Sequence, residues 1–149
     1  MIIRPAEEAD LPQILSVTEQ GTRESAFAGT YDRERTTDYV RTHMYWDDAA
    51  VIVAIDDNEK LVGGFIAVTG YEMWAERLCG LSKFWVLQRR TNTARLLVQA
   101  LIDFSEDREC MSIYVSATAQ LAQKEQKLFE NLLTRAGFDH AGAVMKRDM

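Results

Sequence analysis

The segment from Thr91 to Asp107 constrains this chain more than any other. Ala94, Leu97, Val98, Leu101 and Phe104 recur at the spacing of one face of an α-helix. A stripe of that kind has to be buried against other elements. An extended stretch, Arg77 to Leu87, precedes it, and a strand over Met111 to Ser116 follows.

The rest of the chain alternates in the same way. Ile2 to Arg4 is a short strand stopped by Pro5. Glu7 to Glu19 carries Leu11, Ile14, Leu15 and Thr18 at helical spacing, and Asp32 to Trp46 carries Tyr39, Val40, His43 and Met44 on one face. Ala49 to Asp56 and Lys60 to Thr69 read as a β-hairpin around Asp57-Asn58. Gly63-Gly64 inside its second strand predicts a bulge or a close backbone approach. Ala122 to Ala136 is a helix with Leu128, Phe129, Leu132 and Leu133 inward, and Gly137 closes it. Phe138 to Arg147 reads as a final strand. The order β, α, α, β, β, β, α, β, α, β predicts a mixed α/β sheet covered by helices. No repeat or linker divides the chain, so residues 1–149 read as one domain.

Composition narrows the functions open to such a sheet. Hydrophobic residues make up 47% and charged residues 27%, enough for a packed core. A net charge of −6 argues against broad nucleic-acid binding, which needs clustered positive charge. It suits a cationic substrate or basic partner, although surplus acid also serves solubility. The longest apolar run, Ala49 to Ile55, is far short of the roughly 20 residues that span a bilayer. The start lacks a basic stretch followed by an apolar one, so no membrane association and a cytoplasmic location are expected. Cys79 and Cys110 lie in or beside apolar segments and are expected to be buried, reduced thiols. With only His43 and His140 as histidines, no metal site is expected.

Three stretches resemble the GNAT (Gcn5-related) superfamily of N-acetyltransferases. Ile3-Arg4-Pro5-Ala6 followed by Asp10-Leu11 resembles that family's opening strand and helix. The strand through Phe84-Trp85-Val86, a short turn and a helix resemble its acetyl-CoA motif, R/Q-x-x-G-x-G/A. The best match is Arg89-Arg90-Thr91-Asn92-Thr93-Ala94. Arg135-Ala136-Gly137-Phe138 resembles the closing x-x-G-F. The glycine-poor loop is similar to that of small acetyltransferase-like proteins of bacteriophages and prophages. The resemblance implies a GNAT-like (acyl-CoA N-acyltransferase) fold with a mainly antiparallel central sheet. It also implies acetyl-CoA as cosubstrate and a primary amine as acceptor, on a small molecule or a protein lysine, attacking directly in a ternary complex.

The resemblance also assigns roles. Arg89, Arg90, Thr91, Asn92, Thr93, Ala94 and Arg95 are expected to hold the pyrophosphate. A helix start offers unpaired amides and the positive end of its dipole. The arginines add charge, the threonine hydroxyls donate, and small Ala94 lets the helix approach. Phe84, Trp85 and Val86 are expected to pair their backbones with the pantetheine amides. Gln126 lies where an Asn often contacts the cofactor. Glu76 or water is the expected base, since Ser82 stands where the family often carries Glu. Tyr114 and Ser116 alternate on one strand face, Ser116 toward the thioester. Tyr31, Tyr39, Tyr45, Trp46, Tyr71 and Trp74 fall in the acceptor-side elements and would cage an acceptor or meet a partner protein. Two residues depart from the family. Asn92 replaces a usual glycine, and Leu133 replaces a Tyr that protonates the leaving thiolate. An alternative therefore stays open: a catalytically degenerate binding protein, possibly phage-encoded, that binds a host protein or serves in the virion.

Overall fold

The sheet grows outward from the hairpin. Asp56 Oδ1 accepts from the backbone N–H groups of Asn58 (2.8 Å) and Lys60 (3.0 Å), which turns the chain between β2 (Ala49–Ile55) and β3 (Leu61–Glu72). β4 (Ala75–Val86) folds back on β3, and β1 (Ile2–Pro5) adds to the free side of β2. β5 (Ser112–Val115) joins β4 in parallel, giving the order β1-β2-β3-β4-β5. A parallel neighbour requires a crossover, and α3 (Thr93–Asp107) supplies it. This is a computed structural model. It describes residues 1–73, 75–87, 92–116 and 121–149, with only the backbone of Glu72, Ala75, Glu76 and Gln123.

Two cores flank the sheet. Under α1 (Leu11–Arg23) and α2 (Arg33–Tyr45) lie Leu11, Ile14, Val40, Val53, Ile66 and Trp85. Under α3 and α4 (Gln123–Arg135) lie Phe65, Leu81, Phe84, Leu97, Phe129 and Leu133. The mixed, mainly antiparallel sheet flanked by helices is therefore present as expected. Cys79 is buried and Cys110 half-buried, both as free thiols, and burial pushes both thiols up. No helix of the described residues is long and apolar enough to cross a membrane.

The opening and closing motifs have visible physical roles. Arg4 grips the buried Asp10 with two hydrogen bonds, 2.7 and 3.1 Å, and Asp10 also accepts from Glu7 N at 2.8 Å. Burial alone would raise the Asp10 pKa. The Arg4 bonds, the Glu7 amide and the Arg4 charge outweigh it and hold the group below its usual value. The motif thus ties β1 to the start of α1. At the other end Gly137 adopts φ +93°, a left-handed conformation that costs glycine little. It lets Phe138 N donate to Leu133 O (3.0 Å) and Gly137 N to Thr134 O (3.1 Å), which closes α4.

The final strand expected over Phe138 to Arg147 does not form. Residues 138–149 carry no strand, and β5 stays at the sheet edge. Phe138 packs on the core, but the chain beyond it is exposed. Ala141, Gly142 and Ala143 offer little side chain for a pleated surface, so the ladder lacks packing to support it.

Candidate active site

β4 outruns its neighbour. The β4–β5 ladder ends at Leu81↔Val115, while β4 continues to Val86. On the other side β4 stays paired with β3 through Gly63↔Val86. Leu87 N donates to Val62 O at 2.8 Å. Antiparallel strands alternate bonded and non-bonded pairs, so Trp85 and Lys83 spend their backbone groups on β3. The N–H and C=O groups of Phe84 and Val86 then face the other side, where among the described residues no strand pairs with them.

The β3–β4 register shifts just before this point. Ile66 pairs with Lys83 but Ala67 pairs with Leu81, which leaves Ser82 as an extra residue in β4. Such a bulge bends a strand and re-aims its side chains. Ser82 Oγ donates to Ile66 O at 3.1 Å and accepts from Tyr39 OH at 3.2 Å, pinning the bulge to α2.

The two glycines of β3 allow a close backbone approach beside this opening, and the β2–β3 register shifts next to them, leaving Val62 as an extra residue. A methyl group at Gly63 would stand 2.9 Å from Leu97 Cδ1 and 3.0 Å from Thr93 Cγ2. At Gly64 it would stand 2.5 Å from Trp85 Cζ2. The first turn of α3 thus rests directly on β3, and its N-terminus comes to the open end of β4. The first-turn amides of a helix have no carbonyl four residues back, and the first turn of α3 holds no acidic residue. The combination suits an anion.

The expected site residues divide accordingly. Phe84 and Val86 lie on β4 beyond its last pair with β5, Asn92 precedes α3, and Ala94 and Arg95 lie in its first turn. Phe84 is stacked on Phe129, ring centroids 4.2 Å apart. Trp85 lies close by, but its indole fills the core under α1 and α2. Asn92 precedes α3 with φ −72°, so the turn needs no left-handed residue there, and its carbonyl accepts from Leu96 N at 3.0 Å. Thr93 departs from its expected role as a phosphate donor. It is fully buried, and its hydroxyl donates to Met1 Sδ at 3.2 Å, because the close seat on Gly63 turns the side chain inward. Gln126 is half-buried and donates to Leu121 O at 3.0 Å, in the first turns of α4. Arg89, Arg90 and Thr91 lie outside the described residues.

Ser116 follows β5 immediately, level with the bulge at Ser82. It lines a groove of about 330 Å³ with Tyr114, Leu133 and Phe138. Glu76, expected as a base, is corrected by the backbone. It precedes the first β4–β5 pair, Leu78↔Ser112, at the opposite end of β4 from Phe84. At about 3.3 Å per residue that separation is on the order of 25 Å, beyond the reach of a glutamate. Leu133 is buried in the core, as an apolar residue there should be. Among the described residues the aromatics do not gather into one cage. Tyr31 and Tyr39 line cavities beside α1 and α2, Tyr45 donates to Glu8 at 3.0 Å, Tyr71 is exposed, and Trp74 lies outside the described residues.

Lys83 is a cavity-lining residue that sequence reading passed over. Its side chain leaves β4 between α1 and α2, and Nζ donates to Thr22 Oγ1 at 3.3 Å. The signal was a lysine inside an otherwise apolar strand, between Leu81 and Phe84-Trp85.

Residues 19–133 match the sequence profile of a family described as the acetyltransferase (GNAT) family. No curated protein matches the sequence significantly. Solved structures share the architecture. A mutant of the BH1408 protein from Bacillus halodurans aligns at 16% identity with a TM-score of 0.78, over 100% of this chain and 99% of the other. An aminoglycoside antibiotic 6'-N-acetyltransferase from Acinetobacter haemolyticus aligns at 16% identity and TM-score 0.75, over 100% and 98%. An aminoglycoside N-acetyltransferase in complex with CoA aligns at 15% identity and TM-score 0.77, over 99% and 93%. At such identities the likeness speaks for the fold alone.

Proposed function

The chain belongs to the acetyltransferase (GNAT) family, and from that premise we propose that it acetylates a primary amine by direct attack in a ternary complex. Acetyl-CoA is the cosubstrate. The observation that carries the reading is the open edge of β4 beyond Leu81, set beside the N-terminus of α3. A thioester supplies an activated acyl carbon. The amine nitrogen forms the new C–N bond as the C–S bond breaks, and the proton lost by the amine ends on the released thiol.

The chain's own groups bind and orient. The outward backbone groups of Phe84 and Val86 receive the pantetheine amides as an added strand would. An N–H beside the acyl oxygen stabilises the charge that develops there. Ala94, Arg95 and the α3 dipole hold the pyrophosphate, with Arg89, Arg90 and Thr91 adding charge and donors from just before it in the chain. Asn92 starts the helix, Thr93 seats it, and Trp85 fixes β4 from the other face. Gln126 keeps its amide oxygen for a cofactor amide. Water takes the amine proton, and Ser116 stands at the mouth of the opening to relay one to the thiolate.

Aminoglycosides, the acceptors of two of the structural neighbours, belong in the first panel of amines. A second reading has one observation in its favour: Leu133 is core, so no phenol stands at that point to protonate a thiolate. On that reading the chain binds a protein and has lost its chemistry. Thermal melting with acetyl-CoA separates the two. At 100 times Kd a ligand of the folded state adds about 2.7 kcal/mol. A raised midpoint, lost on joint Arg89→Ala and Arg90→Ala substitution without loss of apo stability, together with thiol release in the presence of an amine, supports the enzyme. An unmoved midpoint at millimolar acetyl-CoA refutes it.

A further inference from the structure

Among the described residues Lys83 stands among hydroxyl groups without a counter-charge. Two adjoining cavities, about 280 and 230 Å³, share Thr22, Tyr31, Thr36 and Lys83 as lining. Thr18, Tyr39 and Ser82 line the inner cavity beside Val40 and Ile66, and Arg35 lines the outer one. Asp32 lines the outer cavity too, but its Oδ1 accepts from Arg35 N at 2.9 Å as the cap of α2. Among the described residues no carboxylate lies within ion-pair distance of Lys83.

A half-buried ammonium with one hydroxyl partner is incompletely satisfied. Burial pulls the Lys83 pKa below the ordinary lysine value. A bound oxyanion supplies what is missing. It takes a charge-assisted hydrogen bond from Nζ, a second from the Thr22 hydroxyl, and attraction from Arg35 in the outer cavity. Phosphoryl or carboxyl oxygens satisfy this equally at the atom level. The hydroxyl-lined, two-lobed space suits a small amine that also bears a carboxylate. Lys83 is the chain neighbour of Phe84, whose backbone faces the opening. A molecule held at Lys83 therefore lies beside the stretch of β4 proposed to receive the pantetheine arm. Polycationic acceptors, by contrast, would press positive charge onto an uncompensated lysine.

We propose that the acceptor is a carboxylate-bearing amine whose carboxylate is bound by Lys83 and Thr22 in the cavity between α1, α2 and β4. The proposal rests on the acetyl-transfer reading and names its substrate class. The test uses the full chain, acetyl-CoA, and matched acceptors: amino acids, their carboxamides and the corresponding decarboxylated amines. Both thiol release and direct calorimetric titration are read, in wild type, Lys83→Met and Lys83→Arg. Expected is a preference of at least about tenfold in kcat/KM and in affinity for the carboxylates. That preference falls to near unity in Lys83→Met and is partly restored in Lys83→Arg. Lys83→Met should melt no lower than wild type, since an uncompensated ammonium is removed. Equal or better use of carboxamides and amines overturns the proposal, as does a preference that survives Lys83→Met. Should acetyl-CoA neither bind nor turn over with any amine, it is the acetyl-transfer reading that fails. The titration ratio then still decides for or against the carboxylate site.

Discussion

Adding one methyl group at Gly64 tests how tightly the opening is framed. In Gly64→Ala the new carbon would meet Trp85 Cζ2 at 2.5 Å and Ile52 O at 2.6 Å. Carbon atoms pack without strain at about 3.5–4.0 Å, so at least one neighbour must retreat by about 1 Å. Neither is free to do so. Trp85 is 6% exposed and sits in a closed core, and Ile52 belongs to the middle of β2. Overpacking of this kind costs about 1–3 kcal/mol, and a backbone oxygen among the clashing atoms places this case at the upper end. For a chain of this size each 1 kcal/mol moves the midpoint by roughly 2–4 °C, so a loss of about 5–10 °C is expected. Gly21→Ala and Gly80→Ala are the controls. A methyl at Gly21 meets nothing within 4 Å on α1, and at Gly80 only Val68 O at 3.8 Å. Gly21→Ala should stabilise by about 0.5–1 kcal/mol through helix propensity alone. Thermal melts of the three variants, with and without acetyl-CoA, form the assay. In Gly64→Ala the displaced Trp85 also drags Phe84 and Val86, so the acetyl-CoA shift should shrink beyond the loss of apo stability. A Gly64→Ala protein that melts at or above wild type would refute the close-packing argument and the framing of the opening with it.

Asp10→Asn should lower stability by about 1.5–3 kcal/mol, since it weakens charged hydrogen bonds to Arg4. Because the folded-state pKa of Asp10 is depressed, its contribution is complete above the ordinary value of 3.8 and is lost as pH falls through the lower folded value. Urea melts between pH 2 and 6 should show a shallower acid slope in the variant, and an unchanged slope would remove the pair from the account. Phe129→Ala deletes the ring stacked on Phe84 and should cost about 3–5 kcal/mol. Calorimetry should find the acetyl-CoA affinity reduced as well, because α4 no longer braces β4. Native Cys79 is fully buried with its thiol pushed up, so a maleimide should label it only on unfolding, while half-buried Cys110 reacts first in peptide mapping.

Local periodicity and turn chemistry determined most of the framework. The stripe Leu97, Val98, Leu101 is buried as its spacing requires, Asp32 caps α2, and Gly137 closes α4. These are choices made within a few residues, where propensity and capping act. The Arg4 and Asp10 motif was equally readable, although its reason, a buried ion pair joining β1 to α1, became visible only when the two met. Tertiary structure alone decided the rest. Which amides of β4 face outward depends on pairing with β3 and on one extra residue at Ser82, and strand register is a property of two strands together. The absence of a ladder over residues 138–149 depends on packing that no local pattern contains. Glu76 and Phe84 lie toward opposite ends of one strand, and only the point where β4 runs past β5 decides which end holds the site. Lys83, an oddity in an apolar run, acquires its meaning only because two helices close over it and bring hydroxyls but no carboxylate partner among the described residues. Charge compensation is settled across the fold, between residues far apart in the chain, so a linear reading has no access to it.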